Sequence, residues 1–71
     1  MNIIYSNHAK KRLKQRGIEE WEIEHAIKFP KYLKKNIDNK KEVVANIKNR
    51  TLKIIFSEEE NYIKIITLMI E

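Results

Sequence analysis

The sequence predicts a single α+β domain in which a two-helix hairpin packs on a three- to four-stranded antiparallel sheet. Three observations lead to this prediction. Apolar residues recur at helical spacing as far as Pro30 and alternate with polar residues at strand spacing after it. A chain of 71 residues has room for only one domain, residues 1–71. Thirteen isoleucines, which are β-branched and favour strands, cluster toward the C-terminal half.

The N-terminal part predicts a short strand followed by two helices. Residues 2–5 are an apolar segment that would form an edge strand. Ser6 is a good helix N-cap, residues 7–16 contain no Gly, Pro or β-branched residue, and Gly17 would end the helix in the left-handed region. A second helix with an acidic first turn follows after a very short connection and ends before Pro30.

The rest of the chain predicts four strands joined by short turns. The predicted strands are residues 32–37, 42–48, 51–57 and 62–70. The predicted turns are Asp38-Asn39, Asn49-Arg50 and residues 58–61. The last strand is the most apolar run, so we expect it to be the best buried. The element order is therefore (β)ααββββ, an antiparallel meander with both helices on one face.

Composition excludes several classes of protein. The chain has no cysteine, which rules out disulfide stapling and cysteine-ligated zinc. No stretch reaches the ~18 apolar residues of a membrane span, and no signal-peptide pattern is present. We therefore expect a cytoplasmic protein without a membrane partner. The acidic residues lie in solvated runs rather than at ligand spacing, so we expect neither a metal site nor a cofactor.

The net charge of +5 is unevenly distributed along the chain. Residues 1–17 carry +5, residues 18–30 carry −3, residues 31–50 carry +5 and residues 51–71 carry −2. Two basic segments separated by an acidic one predict a polarised surface that favours anionic partners. The simpler interpretation is that lysine and glutamate only keep an isoleucine-rich chain in solution.

His8, Arg12 and Arg16 are the residues that point most directly to chemistry. They are spaced four apart and therefore lie on one side of the first helix, which contains no acidic residue to pair with them. Arginine bonds two phosphate oxygens at once, and histidine can take a proton and return it. Since RNA carries its own nucleophile, this stripe predicts phosphate binding and metal-free cleavage. Alternatively, the arginines bridge to Glu20 or Glu24, and the histidine caps or packs.

Five lysines could extend this phosphate-binding surface. They are Lys10, Lys11, Lys14, Lys53 and Lys64. The first three share the first helix with the stripe. The last two are isolated cations in otherwise apolar strands, and they either face solvent or share a groove with the stripe. The sequence leaves both arrangements open.

Residues 6–18 read SNHAKKRLKQRGI and resemble the S-x-H-A-x-x-R-x-x-x-R-G-I signature of a small uncharacterised bacterial, archaeal and phage family. That family is grouped with the RelE/ParE-type toxins. The resemblance covers nearly the whole chain and includes an apolar-Thr-apolar pattern at Ile66-Thr67-Leu68. It implies a RelE-like fold and a metal-independent endoribonuclease, in which a helix histidine acts with basic or hydroxyl residues from the sheet.

The resemblance also implies roles for individual residues. His8 would be the general base or acid, Arg12 and Arg16 would clamp the phosphate, and Thr67 would orient or stabilise. RNA would be the substrate, and an acidic antitoxin would cover the basic face of a toxin. Two other functions remain open. One is a non-catalytic nucleic-acid-binding module of a mobile element, and the other is a protein-interaction domain.

Overall fold

The computed structural model describes residues 2–36 and 38–71 and confirms both the α+β class and the predicted element order. The elements are β1 (Ile3–Tyr5), α1 (Asn7–Arg16), α2 (Glu20–Lys28), β2 (Tyr32–Lys35), β3 (Lys40–Ile47), β4 (Arg50–Glu58) and β5 (Ile63–Ile70). The predicted strand 32–37 is shorter than expected, since β2 ends at Lys35; its last predicted residue, Ile37, lies outside the described residues.

Helix α1 begins and ends at its capping residues, as predicted. Ser6 is extended, and its hydroxyl accepts a hydrogen bond of 3.0 Å from the Ala9 N–H. Gly17 adopts the left-handed region with φ +62°, and the Ile18 N–H donates back to the Leu13 carbonyl at 2.9 Å. A Cβ at Gly17 would meet nothing within 4 Å, so glycine is favoured here by backbone conformation and not by space.

The sheet has five strands in the order β1-β5-β4-β3-β2, and it is mixed. The prediction of three to four antiparallel strands is wrong in both respects, because β1 joins the sheet and runs parallel to β5, with Ile3 opposite Ile63. The other neighbouring strands are antiparallel. A parallel pair needs a long connection, and here the two helices and the meander lie between the paired strands.

The β3–β4 hairpin turns one residue earlier than predicted. Lys48 and Asn49, with φ of 53° and 62°, form its left-handed loop. Positive φ at both central residues is the requirement of a two-residue type I′ turn, whose twist matches that of the flanking strands. Arg50 is therefore the first residue of β4 and not part of the turn.

The core lies between the two helices and one face of the sheet. Its buried members are Ala9, Leu13, Ile18, Ile23, Ala26, Val43, Ala45, Ile47, Leu52, Ile54, Phe56, Ile65 and Leu68. Helix α1 packs on β5 and β1, and α2 packs on β3. The prediction that the last strand is the best buried is wrong: β5 buries only Ile65 and Leu68, since its edge has no strand partner beyond Ile65.

A buried carboxylate joins both helices to the β3–β4 hairpin. The Glu22 side chain is fully buried, and its Oε1 lies 3.1 Å from Nη2 of Arg50. The same guanidinium donates to the carbonyls of Arg16 (3.2 Å) and Gly17 (3.1 Å) at the end of α1. The Glu19 N–H donates to Glu22 Oε2 at 2.8 Å and completes a capping box at the start of α2. The prediction that this glutamate belongs to a solvated run is wrong.

Opposing effects set the pKa of the Glu22 carboxyl. Burial raises this pKa. The hydrogen bond from the Glu19 N–H, the hydrogen bond and charge of Arg50 and the charge of Lys48 lower it, and together they outweigh burial. The pKa in the folded protein therefore lies below the ordinary value of 4.5.

Replacing Glu22 by glutamine should destabilise the fold by about 3 kcal/mol, because Arg50 would lose its charged partner while its side chain stays three-quarters buried. Urea unfolding followed by circular dichroism measures the change. Glu24→Gln is the control, since Glu24 is exposed on the same helix; it should change stability by less than about 0.5 kcal/mol. Equal effects of the two variants would contradict the structural role of Glu22.

Protonation of the Glu22 carboxylate should also lower the stability of the fold in acid. Because its pKa is lower in the folded state, Glu22 contributes fully above the unfolded value of 4.5. That contribution is lost as the pH falls below 4.5 toward the folded pKa. Urea unfolding between about pH 3 and pH 7 should therefore show a shallower acid slope for Glu22→Gln than for the unmodified chain. Parallel profiles would contradict this assignment.

Candidate functional site

His8 and Thr67 are 59 residues apart in the chain and in contact in the fold. The Nε2 atom of His8 lies 2.9 Å from Oγ1 of Thr67. The histidine is exposed in the first turn of α1, and the threonine is half-buried on β5. Either group can donate, depending on the tautomer of the imidazole. The fold thus brings together the helix histidine and the strand threonine that the sequence singled out.

Ser6 fixes this end of α1 to β5. Its N–H donates to the Ile65 carbonyl at 3.0 Å, and its hydroxyl donates to the Ile66 carbonyl at 2.8 Å while accepting from the Ala9 N–H. One side chain therefore caps the helix and attaches it to the strand. His8, two residues later, is held beside the strand by this double attachment.

A β-bulge in β5 sets the direction of Thr67. Thr67 lies opposite Ile55, Lys64 lies opposite Ser57, and Ile66 is the extra residue at the register shift. Ile55 and Ser57 alternate with the core residues of β4, so their partners lie on the sheet face away from the helices. The bulge therefore places Thr67 and Lys64 on one face although they are three residues apart.

Arg12 and Arg16 follow His8 at helical spacing on α1, which packs on β5. Helix α1 is attached to β5 at its start and to Arg50 at its end, so the stripe extends about 12 Å from His8 at the helical rise. Arg12 is half-buried and Arg16 is exposed. Within the described part of the chain, neither guanidinium forms an ion pair, so the predicted alternative of bridges to the acidic second helix is not observed.

The three helix lysines lie on the other flank of α1. They border a groove between α1 and the start of α2, with a volume of about 520 Å³. The groove is lined by Lys10, Lys11, Leu13, Lys14, Ile18, Glu19 and Glu20. The structure therefore separates these lysines from the contact between His8 and Thr67, although all of them share one short helix.

The two strand lysines share the sheet face of Thr67 but differ in their surroundings. Lys53 lies between two carboxylates, with its Nζ 3.7 Å from Glu42 and 3.9 Å from Glu71. Lys64 is exposed and forms no ion pair with any residue that the structure describes. Of the two, Lys64 is the cation whose charge is available to an anionic ligand.

Tyr5, in β1, carries a buried hydroxyl. Its oxygen has no hydrogen-bond partner among the described residues. Burial, together with the charges of Glu20 and Glu24, raises the pKa of Tyr5 from 10.0 to about 12. The phenol therefore stays protonated at neutral pH and does not supply a base.

Within residues 2–36 and 38–71, no three histidine, aspartate or glutamate side chains come close enough together to hold a metal ion. In the same residues, no helix has the length and apolar character that crossing a membrane requires.

A family model described as a domain of unknown function, DUF4258, matches residues 5–70. No curated protein and no solved structure matches the chain. The matched range includes the whole stripe on α1 and the threonine on β5.

Thr67→Val should change the environment of His8 without unfolding the protein, because it removes the hydroxyl that contacts Nε2 but keeps a branched strand residue. Nitrogen NMR of the imidazole should show an altered Nε2 resonance and tautomer balance. Thr51→Val is the matched control: Thr51 bonds Asn46 on the neighbouring strand and has no contact with the histidine. An unchanged Nε2 resonance in Thr67→Val would contradict the contact.

Proposed function

We propose that this chain, which belongs to the DUF4258 family of domains of unknown function, is a toxin-like, metal-independent endoribonuclease. The observation that supports it most is the 2.9 Å contact between His8 Nε2 and Thr67 Oγ1. A proton-transfer group meets a hydroxyl at the surface, beside Arg12 and Arg16. The proposal extends to a RelE-like classification of the fold, which has two helices on one face of a mostly antiparallel sheet.

The proposed reaction uses the 2′-hydroxyl of RNA as its nucleophile. His8 takes the proton from this hydroxyl, and the 2′-oxygen forms a bond to the adjacent phosphorus. The bond from phosphorus to the 5′-oxygen breaks, and the leaving oxygen takes up a proton from imidazolium or water. The products are a 2′,3′-cyclic phosphate and a 5′-hydroxyl. Protons, bonds and charge balance without a metal ion or a redox partner.

Arg12 and Arg16 would stabilise the phosphate as negative charge accumulates on its oxygens. Their guanidinium groups carry fixed charge and offer paired N–H donors suited to phosphate oxygens. No carboxylate in the described residues neutralises them. Thr67 would hold the imidazole in one tautomer and orientation, as second groups beside catalytic histidines commonly do. Lys64, on the same sheet face, would supply a further cation for the RNA backbone.

The proposed partners follow from the charge of each flank of α1. The RNA would bind along the flank that carries His8. Lys10, Lys11 and Lys14 lie on the opposite flank and would meet only more distant parts of the substrate. An acidic antitoxin that covered α1 could neutralise both flanks at once. Lys53, held between two carboxylates, would contribute less to RNA binding than Lys64. We propose the cytoplasm, where RNA is abundant, as the site of action.

The purified chain should cleave single-stranded RNA in the presence of EDTA, and His8→Ala should reduce the rate by at least about 100-fold, the usual range for loss of a positioned acid or base. Gel analysis with end-group mapping should detect cyclic phosphate ends. His25→Ala is the matched control, because His25 is exposed on α2 and its ring lies against Phe29, away from Thr67. The control should cleave at the unmodified rate.

Two results would count against the nuclease. Cleavage that His8→Ala leaves unchanged would exclude the proposed base. Salt-sensitive RNA binding with no cleavage, weakened by Arg12→Ala but not by His8→Ala, would instead support a non-catalytic nucleic-acid-binding module.

A further inference from the structure

The β2–β3 hairpin carries a second group of cations at the end of the sheet nearest the start of α1. It surrounds a pocket of about 210 Å³. The pocket is lined by Lys35, Asn36, Asn39, Lys40, Lys41 and Glu58. Three lysines, two asparagines and one glutamate therefore line this small polar cavity. None of these residues belongs to the proposed cleavage site.

The strand register places two of these cations directly opposite each other. Lys35 pairs with Lys41 across the antiparallel β2–β3 ladder. Like charges at directly opposed positions destabilise a sheet. Glu58 offsets only part of this repulsion, since its carboxylate lies 2.9 Å from Lys41 Nζ. Lys35 and Lys40 form no ion pair with any described residue, so the pocket keeps an excess of positive charge.

We propose that this pocket is a second phosphate-binding subsite, which holds a backbone phosphate of the same RNA strand that is cleaved at His8. The inference rests on the proposed function and adds the placement and length of the substrate. Lysine ammonium groups bind phosphate as point charges, and the amides of Asn36 and Asn39 offer N–H donors to its oxygens. Repulsion between Lys35 and Lys41 brings no structural benefit, and such a local cost is expected where the two lysines bind an anion.

A row of side chains connects the two sites across the sheet. Lys64 on β5 and Lys40 on β3 both lie opposite Ser57 of β4, so the three share one sheet face. Lys40 also lines the pocket, and Lys35 and Lys41 line it from the other face of the hairpin, because alternate strand positions face opposite sides. From β5 to β2 is three strand spacings, about 14 Å. A strand whose bases stay stacked as in a duplex, with a rise of about 3.4 Å per nucleotide, would cross this span in about four nucleotides.

Glu58 opposes the binding of an anion in the pocket. Its carboxylate repels a bound phosphate and competes with it for Lys41. Neutralising Glu58 should therefore tighten RNA binding, whereas neutralising Lys35 or Lys40 should weaken it. Because loss of any carboxylate favours RNA binding, Glu58→Gln locates the phosphate here only if it tightens binding more than Glu59→Gln, whose exposed glutamate lies outside the pocket lining.

The experiment measures binding of 2′-O-methyl oligonucleotides, which lack the free 2′-hydroxyl and so resist cleavage. Fluorescence anisotropy would compare the unmodified chain with the double variant Lys35→Gln/Lys40→Gln for strands of two to ten nucleotides. The variant should bind strands longer than about four nucleotides at least about tenfold more weakly. It should bind dinucleotides like the unmodified chain, and the slope of log affinity against log salt should fall by about 0.7 per lost phosphate contact.

The matched control is Lys28→Gln/Lys31→Gln, which removes the same charge from exposed lysines outside the pocket. It should weaken binding much less and without dependence on length. Equal losses in the two double variants, or a Glu58→Gln variant that binds no tighter than Glu59→Gln, would overturn the subsite. Inorganic phosphate that shifts the NMR signals of Asn36 and Asn39 when the long strand does not would also overturn it.

The two proposals fail in different ways. If the unmodified chain cleaves RNA and the pocket variant matches its control, only the subsite is wrong. If the unmodified chain neither binds nor cleaves RNA, the proposed function is wrong and the subsite falls with it. Thermal unfolding of every variant should show an intact fold, because each substituted side chain is exposed and none belongs to the core.

Discussion

The ion pair between Glu22 and Arg50 determines where both helices lie. A carboxylate removed from water is costly unless its partners are well placed, and here they come from separate elements. The capping box at Glu19 fixes the start of α2, and the guanidinium holds the last carbonyls of α1. Because Arg50 directly follows the tight turn at Lys48 and Asn49, the geometry of the hairpin sets the position of the helix junction. Ser6 attaches the other end of α1 to β5.

The contacts of α1 account for some residues of the motif at 6–18 and leave others unexplained. Ser6 caps and anchors the helix, Ala9 is fully buried, and Gly17 supplies the left-handed end. Their identities follow from the fold alone. His8 and Arg12 do not, since neither a core contact nor a described carboxylate accounts for them. What remains after the structural roles are assigned is a cationic stripe beside a strand threonine, which is the basis of the proposed chemistry.

Much of α1 could be predicted from the sequence because its signals are local. A cap, a helix-favouring run and a glycine act within one or two turns, so the bounds Asn7–Arg16 matched the prediction. An edge strand at residues 2–5 was predicted, but its parallel pairing was not, because that pairing depends on a strand at the other end of the chain. The contact between His8 and Thr67 depends on the bulge at Ile66, which alternation of apolar residues does not reveal. The burial of Glu22 was not predicted either, because its partner Arg50 is distant in the sequence.

The surroundings of each charge decide which cations are available to an anion. A net charge of +5 says little about where an anion binds, because several lysines already have carboxylate partners. Lys41, Lys48 and Lys53 are each within 4.0 Å of a glutamate oxygen. Among the described residues, the cations without such a partner include the stripe on α1, Lys64 and Lys40. Lys64 and Lys40 lie at the end of the sheet where α1 begins, and the stripe extends from there along the helix. Pairing within the fold therefore neutralises Lys41 and Lys53 on the central strands and leaves the stripe on α1 and Lys64 with uncompensated charge, a difference that the net charge of the chain does not express.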